Sequence, residues 1–295
     1  MTASASNYVG RFAPSPTGPL HFGSLVAALA SYLDAKSCAG RWLVRVEDID
    51  PPREIPGARD AILNALVAHG LDWDGEILLQ SQRTAHYKAA LAELSAQRHT
   101  YACSCSRQRL RSLPNGYDGQ CLSQPPTSRT PAAIKLKSRS FSYQFEDLIQ
   151  GRQSQLLQAP QDDFVLWRKD GLVAYQLAVV VDDLAQGVNH VVRGSDLLDS
   201  AVRQALLLRL MGAEPPAYGH LPVASKQDGQ KLSKQNHAAA LDNSAAAANL
   251  VRALQFLGQA PPEHLLQGSV QAILRWGCEH WHRGKVPASL AIAVD

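Results

Sequence analysis

Residues 11–24 read RFAPSPTGPLHFGS, and the stretch straight after them, LVAALASYLDA, carries a helical spacing. Leu25, Leu29, Tyr32 and Leu33 recur at i, i+4, i+7 and i+8, which puts them on one face of a helix. The opening of the chain therefore reads as strand, glycine- and proline-rich loop, helix. In a parallel α/β sheet such a loop lies at the carboxyl end of its strand, where ligands bind. Gly18 and Gly23 let the backbone approach a ligand closely, while the prolines stiffen the loop beforehand. The helix beginning near Ser24 offers unpaired N–H groups and the positive end of its dipole to a phosphate. His21 adds a donor to the same anion.

Outward from this loop the alternation continues. RWLVRVEDID reads as a strand ending in acids, with PPREIPG as a loop, then one helix carrying Ile62 and Leu66 and another carrying Tyr87, Leu91 and Leu94. Strands alternating with helices predict an α/β fold with a parallel sheet. From Thr100 to Gly171, cysteines, prolines and short polar segments replace helical periodicity and predict an inserted subdomain. GLVAYQLAVVVDDLAQGVNHVVRGSD then returns to buried-strand composition, and SAVRQALLLRLMG reads as a helix. Leu250, Leu254 and Leu257 mark one more, and the alanine-rich patch Ala238–Ala248 reads as helical. The expected organisation is a first half of the nucleotide fold over 1–99, an insertion over 100–170, a second half over 171–224, and a basic loop with a short helical region over 225–295.

At 295 residues the chain is long enough to bury a sizeable core. The net charge of +3 permits a polyanionic partner without requiring one. No apolar run reaches the roughly 18 residues that cross a bilayer, and MTASASNYVG lacks the basic flank and apolar core of a signal peptide. Five cysteines, an odd number, argue against a disulfide framework. The expectation is a monomeric cytoplasmic protein without a membrane partner. Cys103, Cys105 and Cys121 lie close in sequence and read as metal ligands, since zinc takes four donors and favours thiolates in structural sites. Chemistry alone leaves the fourth donor open between nearby His99 and a tyrosine. Cys38 and Cys278 are expected to pack as small hydrophobes.

The string PSPTGPLHFG resembles the first signature of the class I aminoacyl-tRNA synthetases, in particular their glutamyl branch. A second signature, the lysine-rich loop of that class, is matched by Lys231-Leu-Ser-Lys-Gln235. Two departures stand out: Ser24 closes the first signature in place of histidine, and Gln235 closes the second in place of serine. The resemblance implies a Rossmann-type fold, with ATP bound through His21, Gly23, Ser24 and Lys234 and catalysis supported by His21, Gly23, Lys231 and Lys234. It implies a glutamate pocket built from Arg11, Ala13, Ser15, Glu47, Tyr175 and Arg193. The chemistry of those residues agrees. Glutamate carries one ammonium and two carboxylates, and arginine grips a carboxylate through two parallel hydrogen bonds.

The arrangement Cys103-x-Cys105, Tyr117, Cys121 resembles that of the shortened members of this branch, which implies one structural zinc with Tyr117 as the fourth ligand. The same resemblance implies ATP with Mg²⁺ as substrate and queuosine in the anticodon of tRNA(Asp) as acceptor. The residues after Gln235 are too few for the anticodon-binding domain of longer synthetases. Two rivals are an ordinary shortened synthetase loading a tRNA 3′ end, and a zinc-bearing tRNA-binding protein without catalysis.

Overall fold

The computed structural model describes residues 7–226 and 239–294. Strand β1 (Val9–Phe12) runs into the proline-rich loop and then α1 (Phe22–Lys36), whose Leu25, Leu29 and Leu33 are buried as their spacing predicts. Strand β2 (Arg41–Val46) pairs in parallel with β1, setting Arg11 opposite Leu43. Helix α2 (Ala58–Ala68) leads to the short β3 (Leu78–Leu79), parallel to β2, and α3 (Thr84–Ala96) follows.

The insertion is mostly antiparallel. It comprises β4 (Thr100–Cys103), α4 (Arg107–Ser112), α5 (Gln120–Ser123), β5 (Ala133–Leu136), the hairpin β6 (Ser142–Asp147) and β7 (Gly151–Leu156), and β8 (Phe164–Trp167). β5 lies between β4 and β8 in a three-stranded sheet.

The parallel layer then resumes with α6 (Tyr175–Gln186), β9 (His190–Gly194), α7 (Ser200–Leu210) and β10 (Ala217–Leu221). β9 and β10 are parallel, and Arg193 faces His220 across the pair. Asn189 joins the two halves: its backbone N–H donates to Val9 O at 3.1 Å, and its side-chain oxygen accepts from Val9 N at 2.9 Å. The strands thus run β3-β2-β1 on one side of this seam and β9-β10 on the other. The order reverses between β1 and β9, the place where open α/β sheets open a crevice for ligands.

Beyond β11 (Val223–Ser225) come α8 (Ala246–Phe256), α9 (Val270–His280) and β12 (Ala291–Ala293), the last parallel to β11. Leu250, Leu254, Leu257 and Ile273 share one core with Leu29, Trp42 and Leu66, so the helical region is packed onto the first half. A second core joins Tyr87 and Leu94 of α3 to the apolar face of α6 and to Leu136 and Leu166 of the insertion.

Three expectations need correcting. The apolar run around LAVVV is a helix, not a strand, and Tyr175 is its first residue. Leu177 to Val181 are all buried, and a fully buried run looks alike as helix or strand. Its end is marked by Gly187 in the left-handed region at φ +67°, a helix C-terminal stop that reads correctly once the run is taken as helical. The alanine-rich patch turns helical only from Ala246. Before it, the Asp242 side chain accepts from Ser244 N and sets up a tight turn over Asn243–Ala245. Cys38 is exposed in the turn after α1, so it is not packed as a small hydrophobe, whereas Cys278 is half-buried.

Candidate active site

The loop between β1 and α1 is held by its own prolines. Proline has no N–H to give but keeps its carbonyl, and here Pro14 O accepts from Glu47 N at 2.9 Å and Pro16 O from Ile55 N at 3.0 Å. Both donors lie beyond the end of β2, so the loop is clipped across the strand ends. Gly18, at φ +135°, takes a backbone conformation that a side chain would strain. His21 caps α1, its Nδ1 accepting from Ser24 N at 3.4 Å, so the helix starts at Phe22, before the Ser24 that the sequence suggests.

A cavity of about 400 Å³ opens where β1 meets β9. Its lining includes every described residue singled out for the amino acid and the nucleotide: Arg11, Ala13, Ser15, His21, Gly23, Ser24, Glu47, Tyr175 and Arg193. Lys231 and Lys234 lie outside the described residues. On the near side of that stretch, Val223 and Ala224 line the cavity; on the far side, Ala240 pairs with His21.

The floor holds two unlike cationic corners. In the first, Arg11 Nε donates to Asp183 Oδ1 at 3.2 Å, and the fully buried Arg45 Nη1 donates to the same oxygen at 2.7 Å. Arg45 also donates to Gln186 at 2.9 Å, and its Nη2 lies 3.7 Å from Glu47 Oε1. Two arginines here face two carboxylates. Burial pushes Glu47 up to about 7 in spite of Arg45 and Arg11. A carboxylate held there, poised at the edge of ionisation, suits an incoming ammonium.

The second corner is Arg193, only 5% exposed. Its Nε donates to His220 Nε2 at 3.1 Å, its Nη1 to Gln204 Oε1 at 2.9 Å, and its Nη2 to Leu197 O at 3.2 Å. Among the described residues no carboxylate comes within 4.0 Å of it. An ion taken from water costs several kcal/mol unless compensated, so this arginine calls for an anion from the cavity. Behind it, His220 Nδ1 meets Asp147 Oδ2 at 2.5 Å. Burial holds the His220 imidazole below its ordinary pKa, which leaves a neutral ring with one donor nitrogen and one acceptor.

Sequence reading missed Asp183, Arg45, Gln204, His220 and Asp147, none of which belongs to a signature. Arg45 carried a signal, because it stands two residues before Glu47 and a strand's period of two puts both on one face. The others are brought in by strand register and helix packing. A second cavity, of about 240 Å³, adjoins the first and shares Ser15, Thr17, Glu47 and Tyr175 with it. Its outer wall includes Asp50 and Arg168, paired at 2.9 Å.

The three cysteines of the insertion converge. Their sulfur atoms lie within 4.8 Å of one another, and Cys105 and Cys121 are 3.6 Å apart. Zinc–sulfur bonds of about 2.3 Å in a tetrahedron place sulfurs roughly 3.8 Å apart, so the spacing fits. The buried Tyr117 reaches the same cluster, its hydroxyl accepting from Cys121 N at 2.7 Å. His99 is not part of it. Arg109 donates to Cys105 Sγ at 3.6 Å, and Lys135 Nζ sits 3.8 Å above the Tyr117 ring. Burial pushes the Cys121 thiol up, but hydrogen bonds from the Ser104 backbone, Tyr117 and the neighbouring thiols bring it down to about 7. The three thiols of Cys103, Cys105 and Cys121 make a donor set that fits a zinc ion, and Tyr117 stands beside them.

Among the described residues no helix is long and apolar enough to cross a membrane. The family described as tRNA synthetases class I (E and Q), catalytic domain, matches residues 8–257. A protein of Pseudomonas aeruginosa named glutamyl-Q tRNA(Asp) synthetase is 49% identical over 96% of this chain and 96% of its own length. One of Vibrio vulnificus with the same name is 46% identical over 98% of this chain and 94% of its own. The crystal structure of glutamate-tRNA synthetase from Elizabethkingia anophelis shares the fold, with a TM-score of 0.82 at 24% identity, covering 98% of this chain and 68% of that one.

Proposed function

The chain belongs to the class I tRNA synthetases of the E and Q family, and is a ligase; from that premise we propose that it activates glutamate with ATP and transfers the glutamyl group to queuosine in the anticodon of tRNA(Asp). The observation that carries the amino-acid half is Arg193, a buried cation lining the cavity with no carboxylate of its own among the described residues. Arg11 stands at the other corner with its terminal nitrogens unpartnered among the described residues. A diacid spans two such corners, its ammonium meeting Glu47 and Tyr175 between them. Glutamine offers one carboxylate too few.

Activation needs no covalent enzyme intermediate. A glutamate carboxylate oxygen attacks the α-phosphorus of ATP, pyrophosphate leaves, and glutamyl-adenylate stays bound. What the chain supplies is position and charge: His21 and the first N–H groups of α1 toward the phosphates, Ser24 and Gly23 beside them, and Lys231 and Lys234 from the basic loop. Mg²⁺ accompanies ATP as part of the substrate. An acceptor hydroxyl then attacks the glutamyl carbonyl carbon and AMP leaves as the ester forms. The adjoining cavity beside Asp50 and Arg168 offers that acceptor a way in past Ser15 and Tyr175. Cys103, Cys105, Tyr117 and Cys121 would hold a zinc, which would serve as a fixed cross-link in the insertion.

Queuosine presents a vicinal diol, as a terminal ribose does, so the same adenylate serves either acceptor. The names carried by relatives at 46–49% identity favour the anticodon. The deciding experiment follows labelled glutamate onto tRNA. Label should run with the anticodon fragment of queuosine-containing tRNA(Asp) after nuclease digestion, and none should attach to an unmodified transcript. Label on the 3′-terminal adenosine would make this an ordinary shortened synthetase.

A further inference from the structure

Arg193 can grip a carboxylate only if its guanidinium plane is fixed, and the residues that fix it lie outside every motif named so far. Parallel register sets His220 of β10 directly opposite Arg193 of β9. His220 is 0% exposed and Asp147 is 2% exposed. Asp147 belongs to the hairpin of the insertion, yet it reaches the parallel sheet: its Oδ1 accepts the backbone N–H of His220 at 3.0 Å, of Ile149 at 3.0 Å and of Gln150 at 2.9 Å. Those three bonds orient the carboxylate so that Oδ2 faces His220 Nδ1. The proton therefore sits on Nδ1, and Nε2 is left with its lone pair toward Arg193 Nε–H.

We propose that Asp147 and His220 are positioning residues for substrate binding, a buried relay that fixes the tautomer of one ring so that it accepts from Arg193 and aims the guanidinium at a substrate carboxylate. The inference rests on the reading of Arg193 as a carboxylate ligand. Arginine has five N–H donors in a planar fork. Nε is taken by His220, and one hydrogen each of Nη1 and Nη2 by Gln204 and Leu197 O. One hydrogen on each terminal nitrogen remains to meet a carboxylate. If His220 carried its proton on Nε2, two N–H groups would face each other and the guanidinium would have to turn away. The relay also ties substrate binding to the insertion, since Asp147 closes the same hairpin.

Asp147→Asn tests this with almost no change in shape. The three backbone N–H donors hold the amide oxygen at the Oδ1 place, so the amide NH₂ faces Nδ1 and forces the proton onto Nε2. His220→Gln keeps an acceptor near the Nε2 place, whereas His220→Leu removes it. In glutamate-dependent pyrophosphate exchange, Asp147→Asn and His220→Leu should raise the KM for glutamate on the order of tenfold or more, the loss expected when a charge-assisted bond is broken. The KM for ATP should stay as in the wild type, and His220→Gln should recover most of the glutamate KM. KM is independent of the fraction of protein that folds, so a lower yield does not blur the result. Arg193→Lys, measured alongside, separates the two readings. If it leaves the glutamate KM unchanged, Arg193 is no carboxylate ligand and the relay falls with it. If Arg193→Lys raises that KM while Asp147→Asn and His220→Leu do not, the pocket stands and the relay is wrong. An equal rise in both KM values, or no recovery in His220→Gln, also overturns it.

Discussion

Arg45 Nη2 and Glu47 Oε1 stand 3.7 Å apart at the floor of the cavity, Arg45 fully buried and Glu47 lining it, too far apart for a hydrogen bond. The pair is therefore an incomplete one, and Glu47 remains up at about 7 because burial outweighs the pull of Arg45 and Arg11. The sign follows. A carboxyl whose folded pKa is raised adds stability below its unfolded value near 4.5, and that contribution is lost as pH rises through about 7. A substrate ammonium reverses this, because it needs the ionised form. The KM for glutamate should fall on the order of tenfold from pH 6 to pH 8, following the ionised fraction. Glu47→Gln should flatten the profile; a variant that keeps the wild-type slope would place the titrating group elsewhere.

Discrimination against glutamine should depend on the two arginine corners. A neutral amide cannot take two charge-assisted bonds, and it leaves buried donors unpaired. Arg11→Met and Arg193→Met should each cost glutamate activation about 1.5–3 kcal/mol in kcat/KM, while glutamine activation, already poor, changes less. Equal rates for both amino acids in the wild type would refute the pocket.

At the nucleotide end, His21→Ala and Lys234→Ala should each lose on the order of 2–4 kcal/mol of transition-state stabilisation in pyrophosphate exchange. His21 also caps α1, so part of any drop in Tm in His21→Ala belongs to the helix end, not to catalysis. Exchange in both variants as fast as in the wild type would remove them from the phosphate site.

The cysteine cluster should bind one zinc per chain. Cys105 is raised to about 11, by burial first and then by its hydrogen bond to Cys121. Loading zinc at neutral pH should therefore release protons, and acid should weaken binding. Elemental analysis and proton release measured in weak buffer check both points. Cys105→Ser should lower metal content and loosen the insertion more than the parallel sheet. Metal retained in Tyr117→Phe would leave the three thiolates standing and remove the phenol.

Much of this was legible because the signature loop and the residues it serves lie at strand ends. RFAPSPTGPLHFGS announced its own place, and Glu47, at the end of β2, followed from the resemblance that this loop carries. All nine described residues assigned to glutamate or ATP line one cavity. What sequence could not supply was the layer behind them. Asp183 and His220 act through the partner they face, and that partner is set by where the fold brings α6 to β1 and by β10 pairing with β9. The misreading of LAVVV has a related cause: buried on all sides, that run shows no polar face from which to read a period.

One pairing bears on how the molecule is born. Val223 and Ala224 line the cavity from β11, and among the described residues β11 pairs with β12, with Val223 N donating to Leu290 O at 3.0 Å and Val294 N to Ser225 O at 2.9 Å. Ser195, beside the cavity, also donates to Leu290 O at 2.5 Å. As the chain leaves the ribosome, β1, α1 and β2 can meet early, but among the described residues β11 gains its strand partner only when residues 289–294 have emerged. The ligand crevice is thus closed by contacts far apart in sequence, the kind that form late and slowly. A nascent chain in which β11 and β12 have yet to pair carries a cleft open on one side, and substrate has a finished site to bind only once β12 has been made.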